Sequence, residues 1–332
     1  MEQNTKGLII MKAYPFHLGH KFLIEIALEK CDVLYILVCT LKRETINGKK
    51  RFKWFEEHFF GNDKIRLIHV EDEVPQEPKE HPDFWNIWKE LIFKYTGNVD
   101  FVFTSEEYGD PLAEVLNCVH VLVDQKRLIY PVSGTKVRSN IAENWHMLPY
   151  PVKKDLVKKI VILGPESTGK SVLARTISDE FNLSLVTEYG REFYENLGDR
   201  ELAYEDLSTI ASNHLMLEER VSEDENSSYV IVCDTNLVVT EAFGKMLYGK
   251  CPKWIERYNE SVLYDLCILL RPDAEFIQDG TRNETLDREK HYKIIYDRLN
   301  EIGQKFIVIS GKDYKERTQD VFSHVNKFLK TN

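Results

Sequence analysis

The chain has 332 residues, more than one ordinary domain holds, so two domains are the starting expectation. Hydrophobic residues make up 43 % and charged residues 30 %, which suits a soluble globular protein able to build real cores. The formal net charge of −10 argues against a nucleic-acid partner, because such binders carry a basic excess, while a local basic groove for a small anion stays open.

The first residues, MEQNTKGLIIMKAYPF, lack a charged run followed by a long apolar stretch, so no signal peptide is read. No segment approaches the roughly 18 uninterrupted apolar residues of a membrane span, and a cytoplasmic protein is expected. Cys31, Cys39, Cys118, Cys233, Cys251 and Cys267 form no CxxC pair and no metal-ligand spacing. They read as reduced, structural thiols.

Up to about residue 145, short apolar runs alternate with amphipathic stretches. Strands are predicted at Gly7–Met11, Val33–Cys39, Ile65–Val70, Phe101–Phe103 and His120–Val123. Helical patterns lie between them at Gly19–Lys30, Phe52–Phe60, Phe84–Tyr95 and Pro111–Leu116. This alternation predicts a parallel sheet wrapped by helices, with ligands at the carboxyl ends of the strands.

Just after the first strand, His17-Leu-Gly-His20 opens a helix, where two imidazoles can meet the charge developing on a transferring phosphoryl group. Arg43 and Arg51 flank RETINGKKR after the second strand; the run is either a solvated charged loop or a phosphate clamp. Trp85 and Trp88 stand at helical spacing, either as core or as a platform for a flat cationic ring. Ser133-Gly-Thr135-Lys-Val-Arg138 follows the last strand at a helix start, and its hydroxyls and cation suit the outer phosphates of a nucleotide. The pair of motifs resembles the nucleotidyltransferase superfamily, which joins HxGH to a later ISxTxxR; Val132 stands where that pattern usually has Ile.

The prolines of Leu148-Pro-Tyr-Pro-Val break the rhythm, which places a domain boundary near residue 150. Strands are then predicted at Lys159–Leu163, Ser184–Thr187, Tyr229–Cys233, Leu266–Leu270 and Phe306–Ile309, with helices at Lys170–Phe181 and Tyr204–Asp224. Between the first of these strands and its helix lies Gly164-Pro165-Glu166-Ser167-Thr168-Gly169-Lys170-Ser171, a phosphate-binding loop in the required context. Its backbone N–H groups close around phosphates, Lys170 adds a point charge and Ser171 can ligate Mg²⁺. Asp234 ends a strand where a metal-side carboxylate belongs, or serves as a turn residue. Glu188-Tyr189-Gly-Arg191 follows another strand toward the same cleft. Arg282 and Arg288 lie in a polar segment before a final helix, either as a solvated loop or as a lid that neutralises charge on the moving phosphoryl group. Glu188 and Asp234 are both candidates to take the acceptor's proton.

Taken in order, HxGH, Phe84-Trp85, Thr104-Ser105-Glu106-Glu107, the phosphate loop, Glu188–Arg191 and Asp279-Gly-Thr-Arg282 resemble the NadR family over nearly the whole chain. The resemblance implies two α/β domains: a Rossmann-like nicotinamide mononucleotide adenylyltransferase (1–150) and a P-loop ribosylnicotinamide kinase (151–332). It also implies ATP as co-substrate at both sites, Trp85 stacked on nicotinamide, and Arg43, Arg51 and Arg138 on phosphates. Some members carry an N-terminal helix-turn-helix repressor domain, and here neither that domain nor DNA repression is expected. The alternatives are a pantetheine-phosphate adenylyltransferase joined to a dephospho-coenzyme-A kinase, a protein with one silent half, and a non-catalytic NAD or ATP sensor docked to a nicotinamide-riboside transporter. Self-association is left open.

Overall fold

The computed structural model describes residues 4–198, 200–273 and 287–331, and the chain divides between Asp155 and Leu156 into two compact units. Both are α/β, each built on a five-stranded parallel sheet.

In unit 1, β1 (Lys6–Met11), β2 (Val33–Cys39), β3 (Ile65–Val70), β4 (Phe101–Thr104) and β5 (Val119–Leu122) stand in the order β3-β2-β1-β4-β5. The chain steps outward from β1 to β3, then crosses back to place β4 on the other side of β1. The carboxyl ends of β1 and β4 therefore flank a switch point, where open α/β sheets leave a crevice for ligands. The helices are α1 (Leu18–Lys30), α2 (Gly48–His58), α3 (Phe84–Thr96), α4 (Gly109–Leu116), α5 (Gly134–Ser139) and α6 (Tyr150–Leu156). Phe84, Trp88, Leu91 and Ile92 of α3 cover one sheet face together with Leu8, Leu37 and Val102. Trp54 of α2 is fully buried, and its Nε1–H donates to Asp155 at 2.8 Å.

The proline-rich run before the divide is not an open linker but enters a helix. Pro151 sits in the first turn of α6, where a missing N–H leaves no helix bond unmade.

Unit 2 contains β6 (Lys158–Leu163), β7 (Ser184–Val186), β8 (Val230–Asp234), β9 (Leu266–Leu270) and β10 (Phe306–Ile309) in the order β10-β9-β6-β8-β7. Its helices are α7 (Lys170–Phe181), α8 (Tyr189–Glu195), α9 (Asp206–Glu223), α10 (Leu237–Tyr248), α11 (Lys253–Ser261), α12 (Arg288–Glu301) and α13 (Tyr314–Thr331). Alternate residues of β6 feed opposite clusters. Val161 and Leu163 pack with Ile231, Leu269 and Ile295, while Ile160 and Ile162 pack with Leu173, Val232 and Val321. Burial on both faces is why these strands read as continuous apolar runs. Arg288 opens α12 instead of lying in the loop before it, and α13 follows β10, so α12 is not the final helix. The start of α10, Leu-Val-Val-Thr, is rich in β-branched residues of poor helix propensity, and burial of Leu237, Val238 and Val239 overrides that preference.

All six cysteines are free. Among the described residues, no helix is long and apolar enough to cross a membrane.

Candidate active sites

In unit 1 the chain leaves β1 and reaches α1 through His17, the N-cap, whose extended backbone (φ −144°, ψ 168°) turns its side chain back over the first turn. The His20 N–H donates to His17 Nδ1 and the His17 N–H donates to His20 Nδ1, each at 3.3 Å. The rings stack with centroids 3.7 Å apart. Since each Nδ1 accepts, the proton of each neutral ring belongs on Nε2, and the pair presents two N–H donors. Burial, aided by the Arg127 charge, pushes His17 down to about 4. Burial, with His17 and Arg127 adding, holds His20 well below the usual range. Both rings are thus neutral at neutral pH. A Cβ on Gly19 would come within 3.2 Å of the His17 ring and 3.4 Å of Val132, so the glycine lets ring and loop close up.

The later motif packs onto that same loop. Ser133 caps α5, its hydroxyl accepting the Lys136 N–H at 3.2 Å. A Cβ on Gly134 would sit 2.5 Å from the Tyr14 carbonyl, so only glycine allows this approach. Arg138 donates to the same carbonyl, and its guanidinium carbon lies 4.2 Å from the centre of the Tyr14 ring. A cavity of about 710 Å³ results, lined by His17, His20, Trp85, Ser133, Thr135 and Arg138 among others. That volume is in the range of small-molecule sites. Trp88 also reaches its wall but is largely core, 8 % exposed, with its Nε1–H donated to the Pro75 carbonyl at 2.9 Å.

Neither Arg43 nor Arg51 is among the residues that line this cavity. Arg43 is exposed, while Arg51 is fully buried and donates to the Glu44 carboxylate and, at 2.7 Å, to the Lys12 carbonyl. Arg51 therefore braces the loop that carries Tyr14 and His17. Two cations outside the motifs also line the cavity, Lys12 and Arg127, the latter in left-handed backbone (φ 52°) and bonded to Glu106 at 3.3 Å. Asp124, also left-handed, shapes that turn by accepting the N–H groups of Leu128 at 2.8 Å and Ile129 at 3.2 Å. The only sequence signal of Asp124 and Arg127 is a short charged turn after the last strand.

In unit 2 the phosphate loop runs from β6 to α7 with Gly164 at φ 150°, Ser167 at 55° and Gly169 at 86°. No side chain caps α7, so its first N–H groups are left for a ligand. Lys170 is buried and donates to the Pro165 carbonyl at 2.9 Å; the Thr168 hydroxyl donates to the same oxygen at 2.8 Å. Arg288 braces the loop from α12, donating to the carbonyls of Glu166 at 3.1 Å and Ser167 at 3.2 Å.

Asp234 ends β8, buried, and its Oδ1 has no hydrogen-bond partner among the described residues. Burial first and the Glu188 charge second raise its pKa, against the pull of Ser171, Lys170 and Arg191. A cavity of about 830 Å³ is lined by the residues from Glu166 to Val172 and by Glu188, Arg191, His214 and Thr235 among others. Asp234, 5 % exposed, and Tyr189, whose ring packs against Phe193, are not among the lining residues. Arg282 lies outside the described residues. His214 gave no sequence signal beyond a lone histidine in an amphipathic helix, and Thr235 none beyond following Asp234.

Two family models each match part of the chain. Residues 6–75 match the citrate lyase ligase C-terminal domain, and residues 159–317 match an AAA domain. The trifunctional NAD biosynthesis/regulator protein NadR of Escherichia coli (strain K12) is 30 % identical over 338 residues, 95 % of this chain and 81 % of that protein. Among solved structures, a NadR protein in complex with NAD and AMP-PNP aligns with a TM-score of 0.70 at 20 % identity, covering 98 % of this chain and 96 % of that one. A NadR protein in complex with NR aligns at 0.73 and 18 % identity with the same coverage. At those identities the two structures bear on the fold.

Proposed function

The chain belongs to the NadR family, and from that premise we propose that it makes NAD in two steps, one in each unit. Unit 2 transfers the terminal phosphoryl group of ATP to the 5′-hydroxyl of nicotinamide riboside. Unit 1 then lets the resulting mononucleotide phosphate attack the α-phosphorus of a second ATP, forming NAD and releasing pyrophosphate. The observation that carries this reading is that each unit holds its own complete phosphate-handling element over its own cavity. The ligands of the two NadR structures, NAD with AMP-PNP and NR, agree with it.

In the adenylation step the nucleophile is already an anion, so unit 1 has to orient and stabilise and needs no base. The Nε2–H groups of His17 and His20 meet the charge that builds on the reacting phosphate, and being neutral they draw no counter-ion of their own. Ser133, Thr135 and Arg138 hold the outer phosphates, and Trp85 stacks on the cationic nicotinamide ring.

In the kinase step Lys170 exchanges the Pro165 carbonyl for the phosphates. Glu188 lines the cavity whereas Asp234 is buried beside it, which favours Glu188 as the acceptor of the hydroxyl proton. Among the described residues no cluster of three or more His, Cys, Asp or Glu is placed to hold a metal. The orphaned Asp234 oxygen and the Ser171 hydroxyl nevertheless suit Mg²⁺, which takes few protein ligands and completes its shell with water and phosphate. When bound, the ion neutralises charge on the transferred group.

The test is a product-resolved assay with ATP, magnesium and nicotinamide riboside, following nicotinamide mononucleotide and NAD separately, then repeated with the mononucleotide supplied. Both products are expected in the first arm and NAD in the second. A wild-type protein that forms neither product sinks the proposal.

A further inference from the structure

The wall of the second cavity contains buried polar atoms that the phosphate chemistry does not use. His214, on α9, is 3 % exposed, and neither ring nitrogen has a hydrogen-bond partner. Thr235, just beyond β8, is 6 % exposed, and its Oγ1 is equally without one. Both residues line the cavity. Buried polar groups in native proteins are almost always paired, so two orphans on one wall call for a reason.

The backbone adds an independent sign. Thr235 is held at φ 79°, a genuine outlier for a β-branched residue. Strain of this kind persists where the surroundings enforce it, and it gathers at functional sites. The His214 ring lies beside the Thr235 carbonyl, a contact that raises its pKa without reaching hydrogen-bond geometry, so the two residues share one part of the wall.

Behind His214 the packing fixes the ring without satisfying it. Glu218, 2 % exposed, accepts from Lys159 Nζ at 2.5 Å and from the Tyr264 hydroxyl at 2.6 Å. Its Oε1 is 3.6 Å from His214 Nε2, too far for a hydrogen bond. Burial lowers the pKa of the imidazole against the opposing charges of Glu218 and Glu188, so the ring is neutral and offers one donor and one acceptor.

The chemistry of the missing partner follows. An anion is disfavoured by a neutral ring with two carboxylates nearby, and an apolar group would leave every orphan unpaired. A sugar hydroxyl both donates and accepts, as do Thr Oγ1 and a neutral imidazole. We propose that His214 and Thr235 form a subsite that grips the ring hydroxyls of the phosphoryl acceptor and so selects ribosides over deoxyribosides. The assignment rests on reading this cavity as the kinase site.

The test compares kcat/KM for nicotinamide riboside with its 2′-deoxy and 3′-deoxy analogues, in wild type and in His214→Leu. A site built around a substrate hydroxyl rejects the analogue lacking it strongly, so wild type is expected to discriminate against at least one analogue by about 10²-fold or more. In His214→Leu that ratio collapses toward one through loss of the riboside alone, with the KM for ATP unchanged, and His214→Gln restores part of it. A ratio equal in wild type and His214→Leu overturns the proposal, as does a wild type that does not discriminate. If His214→Leu fails to fold, Thr235→Gly removes the hydroxyl and relieves the strained backbone together. It should melt at a higher temperature and still lose discrimination; unchanged discrimination again overturns the subsite. If wild type phosphorylates no riboside, the kinase reading is what fails. Calorimetric affinities of riboside and deoxyribosides for the wild-type protein then decide the subsite, and equal affinities overturn it.

Discussion

The two sites sit at the same place in the same kind of sheet, yet they treat the helix N-terminus in opposite ways. In unit 2, α7 begins at a left-handed glycine with no side-chain cap, so backbone N–H groups and the helix dipole stay available to phosphate. In unit 1, His17 and His20 cap α1 reciprocally and occupy N–H groups at its start. In the proposed reaction, stabilisation of charge there falls to the Nε2–H groups and to Arg138. One site is made mainly of main chain and the other mainly of side chains locked by main chain. The lesson is that a strand-to-helix junction does not by itself define a phosphate site: what caps the helix decides which atoms face the ligand.

The largest expected effects test the separateness of the two sites. Lys170→Ala should lower formation of nicotinamide mononucleotide by about 10²- to 10³-fold, the usual result of removing one charge-stabilising group. Conversion of supplied mononucleotide to NAD should be unchanged, as read in the product-resolved assay. His20→Ala should do the reverse, by about 10²-fold. Loss of both steps from either substitution in a folded protein breaks the comparison.

Next comes a variant that reaches the first site through its scaffold. Arg51→Ala leaves Glu44 without its buried partner, and removing one member of a buried ion pair costs about 3 kcal/mol. Adenylation should fail on mild heating while phosphorylation of nicotinamide riboside persists; equal heat loss of both activities would contradict the assignment of Arg51 as a brace of unit 1.

The smallest effect is on acid stability. The unfolded His17 titrates near its ordinary value of 6.5 and the folded one at about 4. Between those values the unfolded chain binds the extra proton, so this contribution is fully present above pH 6.5 and is lost as pH falls toward about 4. In His17→Gln the denaturant midpoint of unit 1 should fall less steeply over that window than in wild type. Identical slopes would remove His17 from the account.

How far the sequence could be read differs with the kind of feature. Strand β2 was visible to the residue, because a sheet buried on both faces needs an unbroken apolar run. Helix α10 was not, because its β-branched start disguises it and only burial against neighbouring elements makes it a helix. The same contrast holds among the charged residues. Arg138 was legible through its motif, whereas Arg51, equally basic and beside the same kind of strand end, turns inward to Glu44. Arg127 belongs to no motif and yet faces the cavity.

By itself the sequence determined two α/β units and the two phosphate-handling elements, because glycine spacing, capping hydroxyls and adjacent cations act through neighbours a few residues away. Tertiary structure alone decided that Arg51 and Arg288 brace loops, that Glu188 lines the cavity while Asp234 does not, and that His214 and Thr235 share one part of its wall. The physical reason is that a polar side chain's role is set by burial and by the partner it finds. Those partners come from segments far apart in the chain, which no local pattern records.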